Sequence, residues 1–77
     1  MTRSVHTREY ERIRKWLIGA RHGAGLSQQQ LAEILERPQS YVSKYENGER
    51  RLDLVEFLEV ARALRADPSD LIANLSK

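Results

Sequence analysis

The chain has 77 residues, of which 40% are hydrophobic and 31% charged, and its formal net charge is +2. This length and balance predict one small globular domain over residues 1–77, and the absence of cysteine excludes disulfides, thiolate metal sites and a cysteine nucleophile. The basic amino-terminal third, residues 1–26, indicates either a polyanionic partner or a solvated helix face.

Two helices are predicted in the first half of the chain. The first runs from about Arg8 to His22, where apolar residues recur at helical spacing, and the glycines of the following GAGL can end it. The second begins after Ser27, because Ser27 followed by Gln30 is a capping-box pattern. The basic segment 1–8 is expected to be flexible.

Three further helices are predicted in the second half. The third runs from Pro38, which suits a first helical turn, to Glu46, and the Asn-Gly that follows stops it. Asp53 with Glu56 predicts the start of a fourth helix that ends near Arg65, and the DPSD sequence starts a fifth. Five helices and no strand pattern predict an all-α fold.

The third helix opens with polar residues where a packed helix usually has apolar ones. On a helical wheel Pro38, Val42 and Tyr45 cluster on the inward side. The opposite face carries Gln39, Ser40, Ser43 and Lys44, with Tyr41 at its margin. Amide, hydroxyl and ammonium groups can bond base edges in a DNA major groove, where glutamine can bond adenine at two points.

The run from Leu26 to Leu64 resembles the helix-turn-helix domain of the Cro/lambdoid-repressor (XRE-like) family. The resemblance is carried by Leu31-Ala32, Val42-Ser43, Tyr45-Glu46-Asn47-Gly48 and the apolar helix that follows, in the family's order. It implies a compact five-helix lambda-repressor-like DNA-binding domain, with the helix-turn-helix motif at about residues 27–46. It also implies double-stranded DNA as the partner.

The resemblance assigns roles by position within the motif. Gln28 is expected to bond a DNA phosphate and to brace Gln39, which is expected to read a base. The remaining residues of the third helix that are expected to contact DNA bases, phosphates or backbone are Ser40, Tyr41, Ser43 and Lys44. The plainer alternative for Gln28 is a solvated helix residue.

The resemblance also assigns residues outside the third helix. Arg50 and Arg51, in the loop after it, are expected to contact phosphate, or else to be solvated. Arg21 and Glu46 resemble a pair that forms a partly buried salt bridge between the third and first helices. The alternative is two independent surface charges.

Two positions depart from the family's pattern. Glu36 stands where the family usually has glycine in the turn, and a positive φ there costs about 1–2 kcal/mol relative to glycine. Pro38 replaces the usual Ser or Thr cap, so the third helix can start differently. Arg37, just before it, then becomes an additional candidate for phosphate or base contact.

The leading hypothesis is a sequence-specific DNA-binding transcriptional regulator, most simply a repressor. One such helix covers only a few base pairs, so a homodimer on a palindromic operator is expected. Candidate interface residues are Leu71, Ile72 and Leu75, with Val55 and Val60 on the outer side of the fourth helix. The alternative for these residues is core packing against the first helix.

A protein-interaction module of the same fold, antitoxin-like or a co-regulator, is the second hypothesis. The acidic last third permits it, but an outward face without a carboxylate or apolar anchor suits DNA better. An enzyme is not expected, because no nucleophile–base pair or phosphate-binding glycine loop is present.

No cofactor, metal or small-molecule effector is expected either. His6 and His22 lie far apart without a ligand motif, and no effector-binding domain fits beside the motif. No apolar run reaches the ~20 residues that span a bilayer, and the start of the chain lacks the apolar core of a signal peptide. A cytoplasmic protein is therefore expected.

Overall fold

The computed structural model describes residues 7–75, which form five α-helices and no strand within that range. The helices are α1 (Arg8–Gly23), α2 (Gln28–Leu35), α3 (Gln39–Glu46), α4 (Leu54–Ala63) and α5 (Pro68–Leu75). The all-α, five-helix prediction is confirmed. The flexibility expected for segment 1–8 concerns mainly residues 1–6, which lie outside the described residues, as does His6.

Side-chain caps start α2 and α4 where the sequence patterns predict. Ser27 accepts a hydrogen bond from the Gln30 N–H, and the Gln30 side chain accepts one from the Ser27 N–H, so the capping box is complete. Asp53 and Glu56 form the same reciprocal pair at α4. These bonds satisfy N–H groups that have no partner inside the helix.

Two predicted helix ends are wrong. Pro38 is exposed and has an extended ψ of 152°, so it is the N-cap of α3 and neither its first helical residue nor part of its inward side. The fourth helix ends at Ala63 rather than near Arg65, because Arg65 adopts a left-handed φ of 56°. Neither change alters which face of α3 points outward.

The core holds α2 and α3 together against α1 and α4. Its largest fully buried side chains are Leu17, Leu31, Val42, Tyr45 and Val60. Ala32 on α2 is also fully buried, and its small side chain lets another helix approach closely. Because three α3 residues, Tyr41, Val42 and Tyr45, are anchored in this core, the opposite side of α3 is held towards solvent.

The structure corrects part of the predicted dimer surface. Val60 and Leu71 are buried within one chain, so neither is an exposed surface for a partner, although Leu71 lines an apolar groove beside Ile72. Val60 was expected on the outer side of α4, but it lies one turn from Leu64 on the buried side. Ile72 and Val55 are exposed, at 58% and 65% of their surface, and Leu75 is half-buried.

Candidate nucleic-acid interface

The outer face of α3 consists of Gln39, Ser40, Ser43 and Lys44. Gln39, Ser40 and Lys44 are exposed, and Ser43 is half-buried. The Asn47 amide donates a hydrogen bond of 3.3 Å to the Ser43 hydroxyl oxygen. The structure therefore brings these four residues together as one polar strip, directly opposite the buried Val42 and Tyr45.

A chain of hydrogen bonds runs from this strip into the interior. The Gln39 Nε2 donates to the Gln28 Oε1 at 2.6 Å, and the Gln28 Nε2 donates to the Glu46 Oε1 at 2.9 Å. Glu46 in turn accepts two bonds from Arg21. We call this set, Gln39, Gln28, Glu46 and Arg21, the glutamine chain; it includes the Gln28–Gln39 contact that the family resemblance implies.

The inner end of the glutamine chain is an ion pair between α1 and α3. Arg21 Nε lies 2.8 Å from Glu46 Oε2, and Arg21 Nη2 lies 3.0 Å from Glu46 Oε1. Both residues are buried, and the hydrogen bonds to Glu46 raise the pKa of the Arg21 guanidinium. Arg21 also donates to the Leu26 carbonyl oxygen, and Arg14 donates to that of Glu46. Arg21 and Glu46 are thus paired, not two independent surface charges.

The resemblance implies that Tyr41 contacts DNA at the edge of the strip, but the structure buries most of this residue. Only 8% of its surface is exposed, and burial raises the pKa of its hydroxyl. The guanidinium carbons of Arg37 and Arg50 lie 4.4 and 5.0 Å from the centroid of its ring. Both distances fall within the range of cation–π attraction. Tyr41 therefore packs against two of the predicted phosphate-binding arginines.

Those two arginines have carboxylate partners on α4. Arg50 donates to both oxygens of Glu56, at 3.2 and 2.7 Å, and this pairing lowers the pKa of Glu56. Arg37 Nη2 lies 3.6 Å from Glu59 Oε1. Of the predicted phosphate contacts, Arg37 and Arg50 are therefore engaged by acidic side chains of the same chain.

Arg51 lies exposed beside the start of α1. It donates to the Thr7 hydroxyl oxygen at 3.2 Å, and its guanidinium carbon lies 4.7 Å from the centroid of the Tyr10 ring. Tyr10 also fixes the backbone of this loop. Its hydroxyl donates to the Arg50 carbonyl oxygen at 3.4 Å and accepts from the Leu52 N–H at 3.1 Å.

Sequence reasoning missed Tyr10, Glu56 and Glu59 as parts of this region. Glu56 was recognised only as a capping residue, and the Tyr10 contacts join residues 40 or more positions apart. Patterns over a few neighbouring residues do not predict contacts between residues so far apart in the sequence. Within residues 7–75 there is no cluster of His, Cys, Asp and Glu that could hold a metal ion, and no helix is long and apolar enough to cross a membrane.

Comparison with known proteins places this site in a family. Residues 17–75 match the family model described as a helix-turn-helix domain. A solved XRE-family like protein from Pseudomonas syringae pv. tomato str. DC3000 is 44% identical, and the match covers 94% of this chain and 88% of that one, with a TM-score of 0.86. The chain belongs to the XRE-like helix-turn-helix family.

Two more distant structures share the fold of this XRE-like protein. The wild-type restriction-modification controller protein C.Esp1396I is 17% identical over 92% of this chain and 93% of its own, with a TM-score of 0.81. The clp gene regulator ClgR from C. glutamicum is 21% identical over 99% and 95%, with a TM-score of 0.78. A search of curated proteins gave no match.

Family and fold together define the class of protein. Both are those of DNA-binding transcription regulators rather than of enzymes, and helix-turn-helix regulators bind double-stranded DNA.

Proposed function

We propose that this protein is a sequence-specific repressor that binds a palindromic operator as a homodimer, with α3 in the major groove. The observation that carries the proposal is the outer face of α3. Gln39 is exposed at the first turn of that helix, and its amide is held by Gln28 instead of by a residue that would cover it. A transcription regulator must reach the DNA inside the cell, so we also propose a cytoplasmic location.

The outer face and its surroundings divide into base-reading and phosphate-binding groups. Gln39 reads a base edge, because its amide offers both a donor and an acceptor to the groove. Three residues beside Gln39 on α3 contact bases or neighbouring phosphates: Ser40, Ser43 and Lys44. Phosphate contacts position the helix without reading sequence. The residues assigned to them are Gln28, which contacts Gln39, and the arginines before and after α3 in the chain, Arg37, Arg50 and Arg51.

An apolar groove away from α3 supports the homodimer. It has a volume of about 310 Å³, and its lining includes Leu54, Phe57, Ile72 and Leu75. Leu54 and Ile72 are 72% and 58% exposed, an arrangement that favours cover by another protein surface. In the proposed homodimer, the two α3 helices enter successive major grooves about 34 Å apart.

Selection of binding sites from random DNA duplexes tests the proposal. The expected result is a palindromic consensus, bound with an affinity that falls steeply as salt rises. Gln39→Ala is expected to lose about 1–3 kcal/mol of discrimination at one position of each half-site. Gln29→Ala is the matched control, because Gln29 is an exposed glutamine on α2 whose described side-chain bond is to Glu33.

Arg51→Ala separates phosphate contact from base reading in the same assay. It is expected to weaken binding to all sequences about equally and to reduce the salt slope by about one. Selection without any consensus, or a consensus that Gln39→Ala leaves intact, contradicts the proposal.

A further inference from the structure

Two arginines near the two ends of α3 contact the same tyrosine ring, and each pairs with its own carboxylate. Arg37 precedes the helix and Arg50 follows the turn after it, yet both guanidinium groups lie within about 5 Å of the Tyr41 ring. Glu56 and Glu59, three residues apart on α4, supply the carboxylates on one side of that helix. We call these five residues the arginine cluster.

The stronger pair of the arginine cluster is bidentate. Arg50 donates one bond to each oxygen of Glu56, whose side chain is only 14% exposed. Glu56 is also held by the Asp53 N–H, and both interactions lower the pKa of its carboxyl group. The Arg37–Glu59 pair is looser, at 3.6 Å, and Glu59 is 48% exposed.

A guanidinium fork fits a carboxylate and a phosphate with the same geometry. Each anion accepts two parallel N–H bonds from the fork, and the bond is strong because both partners are charged. A bidentate carboxylate therefore occupies two of the five N–H donors of the guanidinium and neutralises its charge, so it competes with a bidentate phosphate for the same end of the fork. Arg50 cannot keep both bonds to Glu56 while it offers the same two N–H groups to DNA.

We propose that Glu56, and more weakly Glu59, are internal competitors of DNA phosphate for Arg50 and Arg37. In the free protein the carboxylates neutralise these arginines, and on DNA the phosphates replace them. The competition lowers the affinity for any DNA backbone, so the protein depends more on the outer face of α3 for tight binding. This inference rests on the proposed function.

The opposite role makes an opposite prediction. If Glu56 positioned Arg50 for phosphate, its removal would weaken DNA binding, because Arg50 would lose its orientation. Competition predicts the reverse, a gain in affinity on removal of the carboxylate. The sign of the change therefore distinguishes the two roles without knowledge of the operator.

The experiment measures the affinity of the full chain for a short mixed-sequence DNA duplex over a range of salt concentrations. Glu56→Gln retains an oxygen to accept from the Asp53 N–H, and glutamine also suits a capping box. Glu33→Gln is the control, because it removes the same charge from an exposed residue of α2. Relative to the control, Glu56→Gln is expected to bind about two- to five-fold more tightly, the range that an ion pair near the protein surface contributes.

Three further comparisons sharpen this result. Because Arg50 contacts phosphate on DNA with or without Glu56, the slope of log affinity against log salt is expected to change by less than about 0.9, the contribution of one neutralised phosphate. Glu59→Gln is expected to give a smaller gain. In an Arg50→Gln background, Glu56→Gln is expected to have no effect beyond the control, because the competed group is gone.

The outcomes separate this inference from the proposed function. Wild-type protein that binds no duplex overturns both. Wild-type binding with a Glu56→Gln variant that is folded, by its melting curve, and no tighter than Glu33→Gln overturns the competition alone. A gain that persists in the Arg50→Gln background also overturns it, because the effect then does not pass through Arg50.

Discussion

Glu36 adopts a left-handed conformation, with φ 58° and ψ 44°, in the turn between α2 and α3. The backbone N–H groups of Glu36 and Arg37 bond carbonyl groups at the end of α2, so this conformation ends the helix. A side chain with a Cβ is disfavoured in this region, and glycine is not. The family's usual glycine at this position is thus explained by the backbone geometry alone.

Glu36→Gly is therefore expected to stabilise the fold by about 0.5–1 kcal/mol. Relief of the left-handed strain is partly offset by the greater flexibility of glycine in the unfolded chain. Urea denaturation measures the change. Glu33→Gly, at an exposed position inside α2, is the control and is expected to destabilise by about 1 kcal/mol. Equal losses from both variants would show that the turn carries no strain.

At the scale of the helices, the Arg21–Glu46 pair joins α1 to α3. Glu46→Ala removes the acceptor of two Arg21 bonds and of the Gln28 bond while Arg21 stays buried. Breaking a buried pair from one side leaves an uncompensated charge, so we expect a loss of about 3 kcal/mol in the free energy of unfolding.

Denaturant titration of two other variants checks the cause of that loss. Glu46→Gln keeps one acceptor oxygen and the shape of the side chain, so its loss is expected to be smaller. Glu49→Ala, an exposed neighbour in the following turn, is expected to change stability by less than about 0.5 kcal/mol. An unchanged melting temperature in Glu46→Ala would mean that the pair does not hold the helices together.

The sequence predicts the parts of these helices that depend on local spacing. Both capping boxes involve residues three apart, and the outer face of α3 follows from its helical period. A helical wheel puts Val55 and Val60 about 140° apart, but it does not say which of them lies inward, because α4 has apolar residues on nearly every side. It could not show that Tyr41 is buried either, because Arg37 and Arg50 approach that ring from outside the helix.

At the scale of the whole molecule, the apolar groove makes the proposed homodimer testable. Ile72→Asp places a charge in the groove at a side chain that is largely exposed within one chain. Because a two-fold interface counts each residue twice, dimerisation is expected to weaken by more than about tenfold. Operator affinity is expected to fall with it.

Sedimentation equilibrium, together with a melting curve of the monomer, measures this effect. Ile34→Asp is the control, since Ile34 is 53% exposed on α2 and does not line the groove. If the Ile72→Asp and Ile34→Asp variants dimerise with the same affinity, the interface lies elsewhere.

Glu46 has only acceptor oxygens, and this determines the direction of every bond in the glutamine chain. Gln28 must turn its nitrogen towards Glu46 and its oxygen towards Gln39, so Gln39 must turn its own nitrogen back. Ordering a long polar side chain on binding costs about 0.5–1.5 kcal/mol. Under the proposed function, that ordering is largely complete before DNA arrives. A base that needed the reversed amide would require both glutamines to flip against a carboxylate that cannot donate.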